Sequence, residues 1–159
     1  MRITNIRGEV REREPLADYT SFRIGGPADY LVFPADRKDL IALLMQVRQE
    51  GLPFIILGGG TNILVRDGGV RGVVISLKRF SSVTTAREYR SVGGTFAVVL
   101  AEAGCPLAGL VRHAVDRGWS GLEFAAGIPG TVGGAVCMNA GTAHGEIGDV
   151  IDTVTLLSP

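Results

Sequence analysis

The chain has 159 residues, of which 46% are hydrophobic and 20% are charged, proportions that indicate one ordinary globular domain or two small ones with a real core. Its 16 basic and 16 acidic side chains cancel, so no global charge attracts nucleic acid or an anionic membrane, and neither partner is expected. Glycine is the outlier: its 23 residues are twice the usual share of about 7%, which indicates ordered turns or backbone that faces a ligand.

The first part of the chain is predicted to contain one strand and one helix. Residues 1–20 are polar and irregular, and the apolar run Tyr30–Phe33 is typical of a strand. A helix is predicted over Arg37–Glu50, because Asp36 can serve as its N-cap and Gly51 can end it. The apolar face of this helix is expected to comprise Leu40, Ile41, Leu44 and Val47.

The stretch from Phe54 to Val65 is the most informative in the sequence. The apolar run Phe54–Leu57 predicts a short buried strand, and Gly58–Gly60 with Thr61 and Asn62 follow it. A run of glycines lets the backbone turn sharply or lets a ligand approach closely, and bare N–H groups at a strand end favour an anion such as phosphate. A plain tight turn between two strands is the alternative.

Further along, strands are predicted at Gly72–Leu77 and Tyr89–Val92, whereas Phe96–Ala103 suits a short helix or a buried strand. Pro106 is well placed to begin a second helix that Gly118 ends. Its apolar stripe is expected to comprise Leu107, Leu110, Val111, Ala114 and Val115.

The last part of the chain begins with a second glycine-dense region, Gly121–Gly145, which could lie flat against another surface or form a compact loop packed by its own side chains. Val150–Leu157 is predicted to be a strand, and Ser158 and Pro159 the first half of a turn. A domain rarely ends in this way, so we expect the sequence to be a piece of a longer protein.

Several common sites are excluded by the motifs. Gly58 and Gly60 begin a G-x-G-x-x-G pattern, but position 63 is Ile, and the chain has no Gly-Lys pair, G-x-S-x-G or H-E-x-x-H. His113 has no carboxylate or cysteine at ligand spacing, so a structural role is favoured and no metal site is expected.

The cell compartment is suggested by three further features. The start of the chain lacks the apolar segment of a secretory signal, and Phe124–His144 has too many glycines for a membrane helix. Cys105 and Cys137 form no C-x-x-C pair, and Cys137 is expected to be a small buried thiol. We therefore expect a reduced, cytoplasmic protein without a membrane partner.

Four segments together closely resemble the UDP-N-acetylenolpyruvoylglucosamine reductase (MurB) family. The order and spacing of the segments match that family, and the resemblance covers essentially the whole chain. The segments are Tyr19–Ala28, Leu57–Val65, Gly121–Ala135 and Met138–Gly141.

This resemblance implies an α+β protein with the FAD-binding fold of the vanillyl-alcohol oxidase and p-cresol methylhydroxylase type. It implies two small α/β subdomains, residues 1–78 and an incomplete 79–159, in a chain truncated before the substrate-binding domain. FAD is expected to be non-covalent, because Thr61 follows the glycines and neither His113 nor His144 is near them in sequence. The expected cofactor-binding residues are Leu57, Gly58, Gly59, Gly60, Thr61, Asn62, Ile63, Gly127, Ile128, Pro129, Gly130, Gly133, Gly134 and Ala135.

The resemblance also implies an activity for the longer protein, the reduction of UDP-N-acetylglucosamine enolpyruvate to UDP-N-acetylmuramate with NADPH as co-substrate. The family's Arg, Ser and Glu for this chemistry would lie beyond Pro159, so no catalytic residue is assigned and the piece alone is expected to be inactive. Family members often carry an aromatic residue where this chain has Thr142-Ala143-His144, so the substrate contacts of that loop are left open.

Two alternatives to a reductase are kept. One is another flavin-dependent oxidase of the same fold, against which the missing flavin-tethering histidine argues. The other is a flavin-binding module without catalytic activity. For the reductase itself, a monomer is expected.

Overall fold

The structure is a computed structural model that describes residues 3–157, so the turn predicted at Ser158 and Pro159 lies outside the described residues. The described chain divides into two compact units. Unit 1 runs up to Arg79 and includes Leu157, and unit 2 is Phe80–Leu156. Each unit has its own sheet and its own apolar core, and each is described by itself.

Unit 1 is built on a four-stranded sheet of order β1-β2-β4-β3. The outer strand β1 is antiparallel to β2, whereas β2, β4 and β3 are parallel to one another. The strands are β1 (Glu9–Pro15), β2 (Pro27–Phe33), β3 (Phe54–Leu57) and β4 (Val70–Ser76). A 3-10 turn, Leu16–Tyr19, follows β1, and the helix α1, Arg37–Gln49, connects β2 to β3.

The predicted helix is confirmed to within one residue, and its two ends have the expected chemistry. Asp36 accepts a 3.0 Å hydrogen bond from the backbone N–H of Asp39, and Gly51 has a φ of +65° just beyond the last turn. The predicted apolar face is wrong at one position: Ile41 is 36% exposed, whereas Leu43 is fully buried. The helix is rotated so that Leu43 and Val47 face the sheet.

The two faces of the sheet of unit 1 carry separate apolar clusters, as strand alternation requires. The first cluster joins α1 to one face and contains Ile3, Val32, Leu43, Leu44, Val47, Val73 and Ile75. The second covers the opposite face and contains Leu16, Ala28, Leu31, Phe33, Leu57, Val65 and Val74. Tyr19 and Ile63 pack against the second cluster, which is therefore closed by the chain before β2 and the chain after β3.

Unit 2 combines a hairpin with short helices. Its strands are β5 (Val83–Ser91) and β6 (Gly94–Ala101), which are antiparallel, and the two-residue β7 (Gly141–Thr142) and β8 (Gly145–Glu146). Its helices are α2 (Leu107–Val115) and α3 (Val132–Met138), with 3-10 turns at Glu123–Ala125 and Ile147–Val150. The core contains Leu107, Leu110, Phe124, Ala125, Ala135 and Ile147.

The structure overturns three of the predicted elements. Residues 1–20 are not irregular throughout, because β1 pairs with β2 at every residue but Arg13 despite its charged sequence. Val150–Leu157 is not a strand: its first residue ends a 3-10 turn, and the rest pairs with no strand among the described residues, which leaves Leu156 83% exposed. The glycine-dense region Gly121–Gly145 is not simply a loop, since α3 lies within it.

Two predicted side-chain environments are also wrong. Val115 was expected on the apolar stripe of α2, but it is 64% exposed. Cys137 was expected to be buried, but it is exposed near the end of α3, because this short helix turns Ala135 into the core. None of the helices within residues 3–157 has the length and apolar character needed to span a membrane.

Candidate functional site

The glycine turn, Gly58–Asn62, begins where β3 ends. Since β3 is parallel to β4 and β2, the turn lies at the carboxyl edge of the parallel part of the sheet, where open α/β sheets bind ligands. Gly58, Gly59 and Asn62 are exposed, whereas Gly60 is buried. The turn therefore presents two bare glycine backbones to solvent and fixes the third glycine inside the unit.

The exposed part of the turn has unused hydrogen-bond donors. Within residues 3–157, the backbone N–H groups of Gly58, Gly59 and Asn62 donate no hydrogen bond to the protein. The carbonyl of Leu57, the last residue of β3, accepts a hydrogen bond at 3.4 Å from the N–H of Leu77, which directly follows β4. The pairing between these two strands therefore ends where the glycines begin. Free N–H groups that follow one another form a concave donor surface that suits an anion.

Gly60 holds the turn against the rest of unit 1. Its φ is +66°, and a Cβ added there would lie 1.9 Å from the carbonyl oxygen of Tyr19. Its own carbonyl accepts a 2.9 Å hydrogen bond from the N–H of Ser21. No residue but glycine fits this position without displacing the chain at Tyr19 and Ser21.

The segment that contains Tyr19 and Ser21 also closes on the chain after the turn. The N–H of Gly26 donates to the carbonyl of Arg66 at 3.0 Å, and a Cβ on Gly69 would lie 1.8 Å from the carbonyl of Pro27. The segments Tyr19–Ala28 and Leu57–Val65, which are separate in the sequence, therefore pack together in unit 1. Their glycines are needed for close backbone contact as well as for any ligand.

The hydroxyl of Tyr19 is hydrogen-bonded to two charged side chains of β1. The Tyr19 hydroxyl donates to Oε1 of Glu14 at 2.7 Å and accepts from Nη1 of Arg11 at 2.5 Å. Arg11 also donates to Glu14 and Glu9. Hydrogen bonds from Arg11 and then Tyr19 lower the pKa of Glu14, while desolvation and then Glu14 raise the pKa of Tyr19 to about 12.

In unit 2, the second predicted segment begins as an open loop. Gly127 has a φ of +85°, and a Cβ added there would meet no atom within 4 Å. Gly130 has a φ of +120°. Gly127 and Pro129 are exposed, and Ile128 and Gly130 are half-buried. These two glycines are therefore needed for the path of the backbone, and the space beside Gly127 is open.

The N-terminus of α3, directly after that loop, has no spare donors for a ligand. Thr131 caps the helix by accepting from the N–H of Gly134 at 3.4 Å. The N–H of Val132 donates to Cys105 and that of Gly133 to Ala103, both at 2.8 Å. The helix start is therefore joined to the β6–α2 connection, and any anion in unit 2 would contact the loop before it.

Among the described residues, no group of three His, Cys, Asp or Glu side chains is placed to hold a metal ion. His113 lies 3.3 Å from the hydroxyl of Thr85, and its ring packs on Trp119 at a centroid distance of 5.9 Å. These contacts account for His113 as a structural side chain.

Comparison with known proteins gives the site a family. Residues 28–159 match the family described as FAD binding domain. The chain belongs to this family. The expected α+β FAD-binding fold is thereby confirmed, and so is the resemblance to the reductases from which it was inferred.

Relatives of this FAD-binding domain include reductases from several bacteria. The chain is 51% identical over 149 residues to the UDP-N-acetylenolpyruvoylglucosamine reductase of Geobacter metallireducens, a match that covers 94% of this chain and 46% of that protein. It is 47% identical over 154 residues to the enzyme of the same name from Moorella thermoacetica, covering 97% and 48%. The chain thus spans about half the length of the curated relatives it matches.

Solved structures agree with this assignment. The reductase MurB from Thermus caldophilus is 39% identical with a TM-score of 0.65, over 89% of this chain and 45% of that one. A solvent-stable cholesterol oxidase has a TM-score of 0.51 at 14% identity, over 70% of this chain and 20% of the other, which shows a shared fold alone.

Only some of the predicted cofactor-binding residues are open to a ligand, and the others are used in packing. The free N–H groups of Gly58 and Gly59 suit a pyrophosphate, and the open loop at Gly127 leaves room for a ligand. The side chains of Leu57 and Ala135 belong to the apolar cores, so only their backbone could contact a cofactor. Gly133 is accounted for by its contact with Ala103.

Sequence reasoning did not include the residues that support the turn. Tyr19 and Ser21 lie in a segment that carries the family resemblance, but neither was predicted as a site residue. Their role depends on contacts with Gly60 across about forty positions of sequence, and no local pattern marks such a contact.

Proposed function

We propose that this chain is the FAD-binding portion of an NADPH-dependent reductase that converts UDP-N-acetylglucosamine enolpyruvate to UDP-N-acetylmuramate in peptidoglycan precursor synthesis. The observation that carries the proposal is the pair of free N–H groups at Gly58 and Gly59, at the carboxyl edge of the parallel strands in a chain of the FAD binding domain family. The reductase names of the relatives support the choice of reaction.

The proposed binding mode assigns separate tasks to the two units. In unit 1, the backbone N–H groups of Gly58, Gly59 and Asn62 donate hydrogen bonds to the pyrophosphate, whose negative charge these donors stabilise. In unit 2, taken by itself, the loop Gly127–Gly130 offers backbone that a ligand can approach. FAD, when bound, supplies the hydride-transfer chemistry, whereas this chain's own residues bind and orient it. The change of compact unit after Arg79 supports a division into subdomains at residues 1–78 and 79–159.

The substrate and NADPH belong to the proposal for the longer protein. No residue of this chain is assigned a catalytic role. Arg23 and Glu123 are not proposed to act as the catalytic Arg and Glu of the reductase family. We expect the chain alone to show no NADPH oxidation that depends on the enolpyruvyl substrate. A cytoplasmic monomer with non-covalent FAD completes the proposal, and release of unmodified FAD on denaturation would distinguish it from an oxidase with a tethered flavin.

The test is an FAD titration of the purified chain, followed by flavin fluorescence, with two matched variants. Gly59→Asp places a negative charge at the proposed pyrophosphate site, and Gly68→Asp places the same charge at another exposed glycine of unit 1. Neither glycine has a positive φ, so the backbone conformation at both positions is one that an aspartate can adopt.

We expect Gly59→Asp to weaken FAD binding by about tenfold or more, since a like charge beside the pyrophosphate repels it. Gly68→Asp should leave the affinity within about twofold. Equal affinities for the two variants would exclude a pyrophosphate at the glycine turn, and a wild-type chain that binds no FAD would overturn the proposed function.

A further inference from the structure

The glycine turn is supported by one residue that the proposed function does not use. The backbone of Tyr19 lies against Gly60, where a Cβ would come within 1.9 Å of the Tyr19 carbonyl oxygen. Two residues later, the N–H of Ser21 donates to the Gly60 carbonyl at 2.9 Å. The position of Gly60 is therefore set by the segment Tyr19–Ser21, and this segment must itself be held in place.

Local hydrogen bonds hold the later part of this segment. Thr20 is 7% exposed, and its hydroxyl donates to the carbonyl of Ile24 at 3.0 Å. The N–H of Arg23 donates to the carbonyl of Thr20 at 3.1 Å. These bonds fix the shape of the loop but do not attach it to the sheet.

The side chain of Tyr19 provides that attachment. Its ring lies 6.0 Å from the ring of Phe33, at the end of β2, and packs against the apolar cluster that Ile63 also contacts. Its hydroxyl bonds to both Arg11 and Glu14 of β1. The guanidinium of Arg11 in turn lies over the Phe33 ring at 5.4 Å. One side chain thus connects β1, the end of β2 and the segment that contacts Gly60.

We propose that Tyr19 is a positioning residue for the anion site of the glycine turn, with Glu14 and Arg11 fixing its hydroxyl. The inference rests on the proposed function, because the ligand of that turn is taken to be the pyrophosphate of FAD. Tyr19 does not touch the ligand: it sets where Gly60 lies, and Gly60 in turn sets the direction of the N–H groups of Gly58 and Gly59. Preorganised donors bind an anion more tightly than donors that must be ordered on binding.

The test compares Tyr19→Phe with Tyr30→Phe. Tyr19→Phe keeps the ring on Phe33 and removes only the hydroxyl from the Arg11 and Glu14 bonds. Tyr30→Phe makes the same chemical change in the same unit, but Tyr30 packs against the other apolar cluster, on the opposite face of the sheet. FAD affinity is measured on the full chain well below the unfolding temperature of each variant.

We expect Tyr19→Phe to raise the Kd for FAD by about three- to tenfold, the loss that corresponds to one or two hydrogen bonds, with Tyr30→Phe within about twofold of wild type. Phosphorus NMR of bound FAD supplies a readout that a change of stability alone does not move. The pyrophosphate resonances should shift in Tyr19→Phe and coincide with wild type in Tyr30→Phe.

The outcomes separate the two proposals. If wild type binds FAD but Tyr19→Phe leaves the Kd and the phosphorus spectrum unchanged, the inference is overturned and the proposed function stands. Equal losses in both variants would also overturn it, because they would reflect the stability of unit 1. A wild-type chain without FAD affinity would overturn both proposals.

Glu14→Gln tests the same network without changing Tyr19, so its single effect on FAD affinity can be measured even if Tyr19→Phe folds poorly. Glu14→Gln retains an acceptor for the Tyr19 hydroxyl but removes the charge that orders Arg11. We expect a smaller rise in the Kd for FAD, and the double variant with Tyr19→Phe should show less than the product of the two single effects, because both changes act on one network. Independent effects that multiply would contradict the proposed coupling.

Discussion

Gly133 lies directly against Ala103: its N–H donates to the Ala103 carbonyl at 2.8 Å, and a Cβ on Gly133 would come within 2.8 Å of the Ala103 Cβ. This contact joins the first turn of α3 to the connection after β6. It gives a packing reason for a glycine that the family resemblance implied to be a cofactor contact. The two explanations make different predictions for substitutions in this helix.

Gly133→Ala should lower the free energy of unfolding by about 1–3 kcal/mol, because the added methyl group overlaps both backbone and side chain of Ala103. The matched control is Gly134→Ala in the same helix, where the nearest atom to a Cβ is the Thr131 hydroxyl at 3.4 Å. There the better helix propensity of alanine should leave stability equal or higher by up to about 1 kcal/mol. Urea unfolding of both variants measures the difference, and similar stabilities would contradict the packing role.

Gly60 and Gly51 form a second matched pair, because their φ values of +66° and +65° impose the same backbone strain on an alanine. A Cβ on Gly51 meets no atom within 4 Å, whereas one on Gly60 overlaps the Tyr19 carbonyl. Gly51→Ala should therefore destabilise by about 1–2 kcal/mol, and Gly60→Ala by about 1–3 kcal/mol more. Thermal unfolding checks this, and equal losses would mean that the Tyr19 segment moves away freely.

Asp39 should make unit 1 sensitive to acid. Its side chain is 2% exposed and accepts 2.8 Å hydrogen bonds from the N–H groups of Arg7, Gly8 and Ala35. Burial alone would raise its pKa, but the three backbone donors outweigh burial, and the pKa is lowered. Because the folded pKa lies below the unfolded one, this carboxylate stabilises the fold above the unfolded pKa and ceases to do so as pH falls through the folded pKa.

The substitution Asp39→Asn should lower the free energy of unfolding by about 1–3 kcal/mol near neutral pH, since an amide cannot accept from all three donors. The difference in unfolding free energy between wild type and variant should begin to narrow as pH falls below the ordinary aspartate pKa of about 4, and it should close below the still lower folded pKa of Asp39. The exposed Asp67→Asn serves as control and should show no such difference. Denaturant unfolding of wild type and variant across this pH range tests the prediction. A difference in unfolding free energy that is independent of pH would refute the role of the charge.

The corrected face of α1 supplies a fourth prediction. Leu43 is fully buried against the sheet, so Leu43→Ala should destabilise by about 2–5 kcal/mol. Ile41 was expected in its place, but because that side chain is partly exposed, Ile41→Ala should remain within about 1 kcal/mol of wild type. Comparison of their urea midpoints tests the rotation of the helix, and a larger loss for Ile41→Ala would restore the face inferred from sequence.

The features that the sequence predicted correctly depend on residues that are close together in the chain. The cap at Asp36 and the stop at Gly51 mark the ends of α1 because both act within one turn of the helix. The strand Phe54–Leu57 is equally clear, since four apolar residues precede three glycines. The family followed from the order of the glycine-rich segments.

The features that the sequence did not predict depend on contacts between residues that are far apart in the chain. β1 is charged along its length, and only its pairing with β2 makes it a strand. Asp39 could be placed in the first turn of α1 from sequence, but two of its three partners lie more than thirty residues away. Glycine itself is ambiguous, because Gly133 and Gly60 are required by contacts with distant backbone that a sequence does not display.

The charged sequence of β1 has a consequence for the solubility of unit 1. β1 is an edge strand of the sheet, and a regular, apolar edge would be a template on which another chain could add a strand. Glu12 and Arg13 are exposed charged residues of this edge strand, and Arg13, with a φ of +52°, interrupts its regular backbone. The strand whose side chains hold Tyr19 thus also discourages edge-to-edge aggregation.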